Sequence, residues 1–408
     1  MTTILAFVCL ALQDSPNKDL QDLKERVDQL EKENEEIKKR LAQTTSANPE
    51  TVLNPRVTVV GNTLLRMDDK TVLNEEGKAI DDTFNLREVE LDLRASIDPY
   101  ADAVAVLSLE SEFSGEFETG VEEFLIRIKS LPLPGWEEPP LGAQITLGRM
   151  RTAFGTNNVL HLHDLPQSNR PLVIEDYLGE EGHVANGASV RVFLPSPGDT
   201  ALQFTVQAVQ GGDVEVAQDA GHPAYLANAH LFVPLAEEHS LDASLIGFYG
   251  TNDEKGHRQS RVWSLDAWYR WKPLRQGEYN SFLVGAQVFK LDHEFNEDID
   301  TDADGVPDAT SARHSQPLGY TVWSQYQLSS RVYLGARYDD AEFLADDSLD
   351  HRKLQPYLSW YLSEFFRARL SYERLWSDDD EEDGRNTFLF EVNVVFGAHP
   401  PEPFWVNK

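Results

Sequence analysis

The chain has 408 residues and carries 36 Lys and Arg against 69 Asp and Glu, a formal charge of −33, with one cysteine, Cys9. That acidity excludes a nucleic-acid binder, which needs a cationic footprint, and the lone cysteine excludes internal disulfides, Cys-ligated zinc and iron–sulfur clusters. No run approaches the roughly 18 apolar residues of a membrane-spanning helix, but the strands of a membrane barrel alternate and escape that test.

In chain order, Ile4–Leu12 is a continuous apolar run followed by polar Gln13-Asp14-Ser15. It is too short to span a bilayer and suits the core of a signal peptide over residues 1–13, although the usual basic flank is missing. A short apolar helix is the alternative. Residues 18–43 read as a parallel coiled coil. Leu20, Val27, Asn34 and Leu41 fall at heptad positions a, and Leu23, Leu30 and Ile37 at d. The flanking pairs Asp19–Lys24, Arg26–Glu31 and Glu33–Lys38 attract between neighbouring chains. Asn34 suits a dimer, whereas Arg26-Val27-Asp28-Gln29-Leu30-Glu31 follows the pattern of short trimeric coils. The reading adopted is a homotrimer through residues 19–41 and barrel contacts. Residues 44–55 form a linker.

From Arg56 to Gly397 one theme recurs: ten to fourteen residues of alternating apolar and polar character, then a break. Sixteen such segments are expected, at 56–68, 84–98, 100–112, 119–132, 141–151, 187–195, 199–210, 223–234, 239–250, 259–272, 278–291, 316–328, 329–339, 350–362, 364–377 and 386–397. In the second, Val89, Leu91, Leu93, Ala95 and Ile97 oppose Glu88, Glu90, Asp92, Arg94 and Ser96. In the fifteenth, Phe366, Ala368, Leu370 and Tyr372 oppose Arg367, Arg369, Ser371 and Glu373. A soluble barrel fills its interior with apolar side chains; several ionised groups per strand on one face instead suit lipid outside and water inside. Phe113, Tyr249, Trp263, Trp271 and Trp376 lie near segment ends, where interfacial girdles fall. Connections alternate short and long, seven against eight, as both termini in the periplasm would require. The fold class is therefore an all-β transmembrane barrel over 56–397, about 16 antiparallel strands preceded by the coiled coil, with a tail at 398–408. A soluble sandwich or propeller is the rival.

A coiled coil leading into such a barrel resembles the trimeric porins with a periplasmic coiled coil. Gly148-Arg149, Phe154-Gly155-Thr156-Asn157-Asn158, His161-Leu162-His163, Pro166, Leu178 to Gly182, Gly187 and Leu194-Pro195, with Phe396 to Pro400, are similar to porin-like outer-membrane proteins described as zinc-regulated or siderophore-porin relatives. The resemblance implies a channel for small solutes with a link to metal. It departs from TonB-dependent receptors, because no plug precedes the barrel and sixteen strands are not twenty-two. It departs from the commonest porin ending too, since Pro400 to Trp405 trail the last strand.

The longest connection, 152–186, is expected to fold into the lumen as a constriction. Its His161, His163, Asp164, Glu175, Asp176, Glu180, Glu181 and His183 could act in two ways. Two histidines at i and i+2 project together from an extended chain, and imidazole with carboxylate suits transient Zn2+ at His161 and His163. Alternatively these groups only hydrogen-bond the loop to the wall. Asp164, Glu175 and Asp176 would then face basic wall residues, Arg94, Arg127, Lys129, Arg191, Arg337, Arg367 and Arg369, across a transverse field. Lumen acids Glu88, Glu90, Asp92, Glu110, Asp266 and Glu373 compete with those cations. Asp300, Asp302, Asp304 and Asp308, turning at Gly305, form either a Ca2+ loop or a merely hydrated acidic one, because Ser311 stands where an EF-hand needs Glu.

The expected function is passive diffusion of small hydrophilic solutes or ions across a Gram-negative-type outer membrane, with the coiled coil in the periplasm. No cofactor is required, and the partners are outer-membrane lipid, lipopolysaccharide and solutes. Rival readings are a channel for metal ions or metal–siderophore complexes, a barrel hydrolase drawing on His161, His163, Asp164 and Ser168, and an envelope tether. The enzyme reading is set aside because a catalytic triad is defined by geometry.

Overall fold

The computed structural model describes residues 54–72, 79–80, 82–111, 117–212, 214–274, 279–299, 309–379 and 383–398. The signal peptide, the coiled coil, Asp300, Asp302, Asp304 and Asp308, and the tail beyond Ala398 lie outside the described residues. The chain divides into two compact units, Met1–Asn54 and Pro55–Lys408. The second unit carries every strand described below.

The strands are β1 (Arg56–Asp68), β2 (Thr83–Ser96), β3 (Ala101–Glu110), β4 (Glu118–Ile128), β5 (Gln144–Arg151), β6 (Val184–Leu194), β7 (Ala201–Gln210), β8 (Pro223–Ala236) and β9 (His239–Thr251). They continue with β10 (Gln259–Trp271), β11 (Phe282–Ile299), β12 (Ala309–Ser315), β13 (Leu318–Ser329), β14 (Val332–Glu342), β15 (Asp350–Ser363), β16 (Phe366–Ser377) and β17 (Asn386–Gly397). Each pairs antiparallel with its neighbours in the chain except that β12 and β13 do not pair with each other, and β17 pairs with β1 from Thr58↔Gly397 to Asp68↔Thr387, closing the ring. Strands β12 and β13, parted only at Gln316-Pro317, both pair with β11 and form a single stave. Among the described residues the result is a closed antiparallel barrel of sixteen staves, from which the β11–β12 hairpin extends paired only with itself beyond His293.

Side-chain burial is inverted relative to a water-soluble protein. Along β15, His351, Lys353, Gln355, Tyr357, Ser359 and Tyr361 are buried while Leu354, Pro356, Leu358, Trp360 and Leu362 are exposed. On β10, Trp263 and Leu265 are 61% and 53% exposed, whereas Ser264 and Asp266 are each 2% exposed. An apolar belt of this extent is stable only against hydrocarbon. The period-two alternation is thus the physical signature of one greasy and one wet face.

Boundaries differ by a few residues at several strands, including β14, and three of the differences stand out. The expected loop 292–315 is largely strand, because β11 runs on to Ile299 and β12 returns from Ala309. A hairpin standing clear of the bilayer can be polar on both faces, so alternation does not mark it. Strand β4 ends at Ile128, leaving 129–143 as a longer short-side connection than expected. The third long loop closes earlier, at His183, as β6 begins at Val184.

Candidate functional site: a loop bound inside the barrel

Residues 152–183 join β5 to β6 through a single helical turn, α1 (Thr156–Val159), a 3-10 turn at Leu162–Asp164 and a helix, α2 (Leu172–Leu178). Pro171 immediately precedes α2, where its fixed φ is compatible with helix entry, and Gly179 at φ +91° ends it. Four of the first seven helix positions are apolar and buried, namely Leu172, Val173, Ile174 and Leu178, and Tyr177 joins them. These side chains and Phe154 pack on inward-facing Val209, Leu226, Ile246, Phe248, Phe289 and Leu291, which lie near the long-loop ends of β7 to β11. The lumen wall is therefore apolar where Phe154 and α2 lie against it.

Polar anchors reach staves around much of the ring. At the loop's start, Gln287 Nε2 donates to the Phe154 carbonyl at 2.7 Å and the Thr156 amide donates to Asp266 at 2.7 Å. Gly155 has φ +92°, and a Cβ there would stand 2.8 Å from Gln287 Nε2, so glycine is what permits this close approach. In mid-loop, wall arginines grip backbone. Arg367 donates to the His163 carbonyl (2.8 Å), Arg369 to the carbonyls of Leu165 (2.8 Å) and Gln167 (2.5 Å), and Arg337 to those of Asn169 (2.6 Å) and Arg170 (2.9 Å). Arg87 donates to the Ser168 carbonyl at 2.6 Å. Arg367 and Arg369 are held in turn by Glu391 at 2.7 and 2.9 Å, across the β16–β17 pair.

Among the residues singled out by sequence, Arg337, Arg367 and Arg369 are thus brought to the loop through its carbonyls, not its carboxylates. Glu175 and Asp176 pair instead with Lys353 (3.2 Å) and His351 (2.5 Å) on β15. Asp164 stands 3.7 Å from His163 Nε2 and keeps about a third of its side chain exposed. Arg94, Arg127, Lys129 and Arg191 lie towards the short-turn rim, where Arg94 pairs with Asp92, Lys129 with Asp102 (2.8 Å) and Arg191 with Gln144 (2.6 Å).

His161 and His163 do share a side, His161 from the extended residue that caps the 3-10 turn and His163 from within the turn; their rings stack with centroids 5.6 Å apart. His161 Nδ1 lies 3.1 Å from Glu122 and His163 Nδ1 lies 3.1 Å from Glu90. Burial alone disfavours a charged His161, yet the Glu90 charge and the bonds to Glu122 and Glu123 outweigh it and hold its pKa well above the ordinary value. Arg170, wholly buried, staples the loop to itself through the Asn157 and Leu160 carbonyls at 2.6 and 3.0 Å. Burial, and then the charge of Arg151, lower its pKa to about 10. His183 closes the loop, its Nδ1 3.0 Å from Thr152 Oγ1 and its ring against Phe154 and Phe248. Burial, reinforced by Arg149, pushes it down to about 4.

Sequence reasoning missed Glu122, Arg151, Arg170 and Glu391 as partners of the loop. Glu122 was hidden by a β-bulge: β3–β4 register slips between Val106 and Leu107, pairing them with Glu123 and Val121 and leaving Glu122 unmatched. It also missed an inward aromatic group, in which Trp268 and Trp323 meet edge-on at 4.5 Å with Tyr333 and Tyr361 nearby and Leu160 packed on them. For the hydrolase reading, the Ser168 hydroxyl bonds to Ser371 at 2.9 Å and His163 bonds to Glu90, so the nominal nucleophile and base have other partners.

Among solved structures, Pseudomonas putida OprB is similar with a TM-score of 0.56 at 10% identity, over 84% of this chain and 94% of that one. Salmonella typhi OmpF gives 0.53 at 12%, over 84% and 98%. An anion-selective porin from Comamonas acidovorans gives 0.52 at 10%, over 84% and 99%. The fold is that of an outer-membrane porin. At such identities the likeness speaks for the fold alone. No family model matches the chain. An uncharacterised protein of Aquifex aeolicus is 26% identical over 353 residues, covering 79% of this chain and 70% of its own length.

Proposed function

We propose that this chain is an outer-membrane channel for passive diffusion of small hydrophilic solutes or ions, assembled as a homotrimer, with the loop 152–183 setting its aperture. The observation that carries the reading is the inverted burial around a closed ring: ionisable side chains inside, apolar ones outside. The porin-like structural neighbours support it, and the heptads of 18–43 support the trimer. Wall arginines holding the loop's backbone support a fixed rather than a swinging constriction, because each carbonyl bond to a charged donor is stronger than a neutral one.

Purified full-length protein added to a planar bilayer tests this. Stepwise conductance, with openings grouped in threes, is expected, and replacing 156–181 by a short Gly-Ser linker should raise the unit conductance severalfold. A membrane that stays sealed under both proteins overturns the channel reading.

A further inference from the structure

Beneath the His161–His163 turn, carboxylates crowd the wall. Glu88 and Glu90 come from β2, Glu110 from β3, and Glu122 and Glu123 from β4, where the bulge lets two successive residues reach the same region. Arg151 pairs with Glu122 at 2.6 Å. Five carboxyl groups therefore face one guanidinium and two imidazoles, so acidic groups outnumber basic ones. Buried charge of one sign is costly unless something neutralises it.

The donor geometry says what would. His161 Nδ1 lies 3.1 Å from Glu122 Oε2 and 3.3 Å from Glu90 Oε1, and His163 Nδ1 lies 3.1 Å from that same Glu90 oxygen. A tetrahedron of ligands at zinc–nitrogen and zinc–oxygen bond lengths has edges of about 3.3 Å. One donor atom each from Glu90, Glu122 and His161, and likewise from Glu88, Glu90 and His163, lie within 4.8 Å of one another. Independently, Glu88 Oε2 and Glu122 Oε1 are buried without a hydrogen-bond partner, in residues only 4% and 8% exposed. Native interiors seldom leave a carboxylate oxygen unbonded.

We propose that this pocket binds one divalent cation of the zinc class, with His161, Glu90 and Glu122 as ligands and His163 and Glu88 completing the set, and that the ion pins the loop to β2 and β4. Imidazole mixed with carboxylate favours zinc and its first-row neighbours over calcium or magnesium, which take all-oxygen sites. The ligands come from both sides of the contact, so the ion is a cross-link between loop and wall. The pinning rests on the channel reading; the binding does not.

Full-length protein, freed of metal with a chelator and held in detergent, is titrated with zinc sulfate by calorimetry in excess calcium and magnesium. One zinc per chain is expected, with X-ray absorption showing nitrogen and oxygen ligands only. E90Q and H161A should each weaken binding by at least about tenfold, and E122Q serves if either fails to form a heat-modifiable barrel. Absence of saturable binding overturns the site, as does binding unchanged in all three variants. In bilayers, zinc should suppress loop-dependent current fluctuations in the wild type and not in H161A. Zinc that binds without altering the current overturns the pinning alone. A sealed bilayer overturns the channel reading, while the titration still decides the site.

Discussion

Glu391 is the residue on which the closing seam turns. It is 1% exposed and accepts from Arg367, Arg369 and Asn62, with Arg87 at 4.0 Å. Removing one member of such a group leaves the others buried and uncompensated. Glu391→Gln should therefore destabilise the barrel by about 3–5 kcal/mol, read as a fall in the urea midpoint of refolded protein, and should expose the loop to protease because Arg367 and Arg369 no longer sit fixed. His183 supplies a pH-dependent counterpart. Its folded pKa of about 4 lies below the ordinary value of about 6.5, so above pH 6.5 its contribution is fully present. As pH falls through that window to 4, the unfolded chain takes up a proton that the folded ring refuses, and on the order of 3 kcal/mol of stability is lost. Acidification from pH 7 to 4 should release the loop's end in the wild type, and His183→Phe should flatten that pH dependence; an equal slope in both proteins would assign the change to other groups.

At the scale of the element, the loop lies where it does because particular wall positions make room. Gly319 on β13 is such a position: a Cβ there would meet Val173 Cγ1 at 2.7 Å and Tyr177 Oη at 2.8 Å. Gly319→Ala should push α2 off the wall at a cost of about 1–3 kcal/mol, visible as faster proteolysis between Gly179 and Gly182 with the barrel still intact. The strands were legible in sequence because their alternation is imposed by two solvents, and residues such as Leu91 against Asp92 or Leu370 against Arg369 report it directly. The loop's anchorage was not, because a guanidinium bonding a carbonyl depends on the path of the backbone and not on which side chain it bears. His161 and His163 could be picked out by type, but Glu122 could not, since only the bulge in β4 turns it inward beside Glu123. Trp268 and Trp323 were illegible for the opposite reason: an aromatic residue suits lipid as well as a covered lumen, and their inward packing with Leu283, Tyr333, Tyr361 and the loop's Leu160 is a tertiary contact.

For the whole molecule the decisive test is which solvent lies outside. Leu265 stands midway along β10 and is more than half exposed. On a soluble protein Leu265→Arg would be nearly neutral. In a bilayer it should cost about 2–4 kcal/mol at the midplane, measured as loss of stability in lipid vesicles. An even number of staves follows from closing a sheet with both ends on one side, and the alternating segments with their seven short and eight long connections pointed to sixteen. The outer hairpin of β11 and β12 escaped that logic because it extends past the region where one face must be greasy.

The wall arginines that clasp the loop touch peptide oxygens at Leu165, Gln167, Ser168, Asn169 and Arg170. Except at Asn169, whose side-chain Oδ1 also accepts from Arg337, a clasp on peptide oxygens is blind to the identity of the residue it holds. If the chain is the proposed channel, mutations that recolour the loop's solute-facing surface can accumulate without dislodging it, so that one tube can be retuned to new cargoes while its bore stays framed.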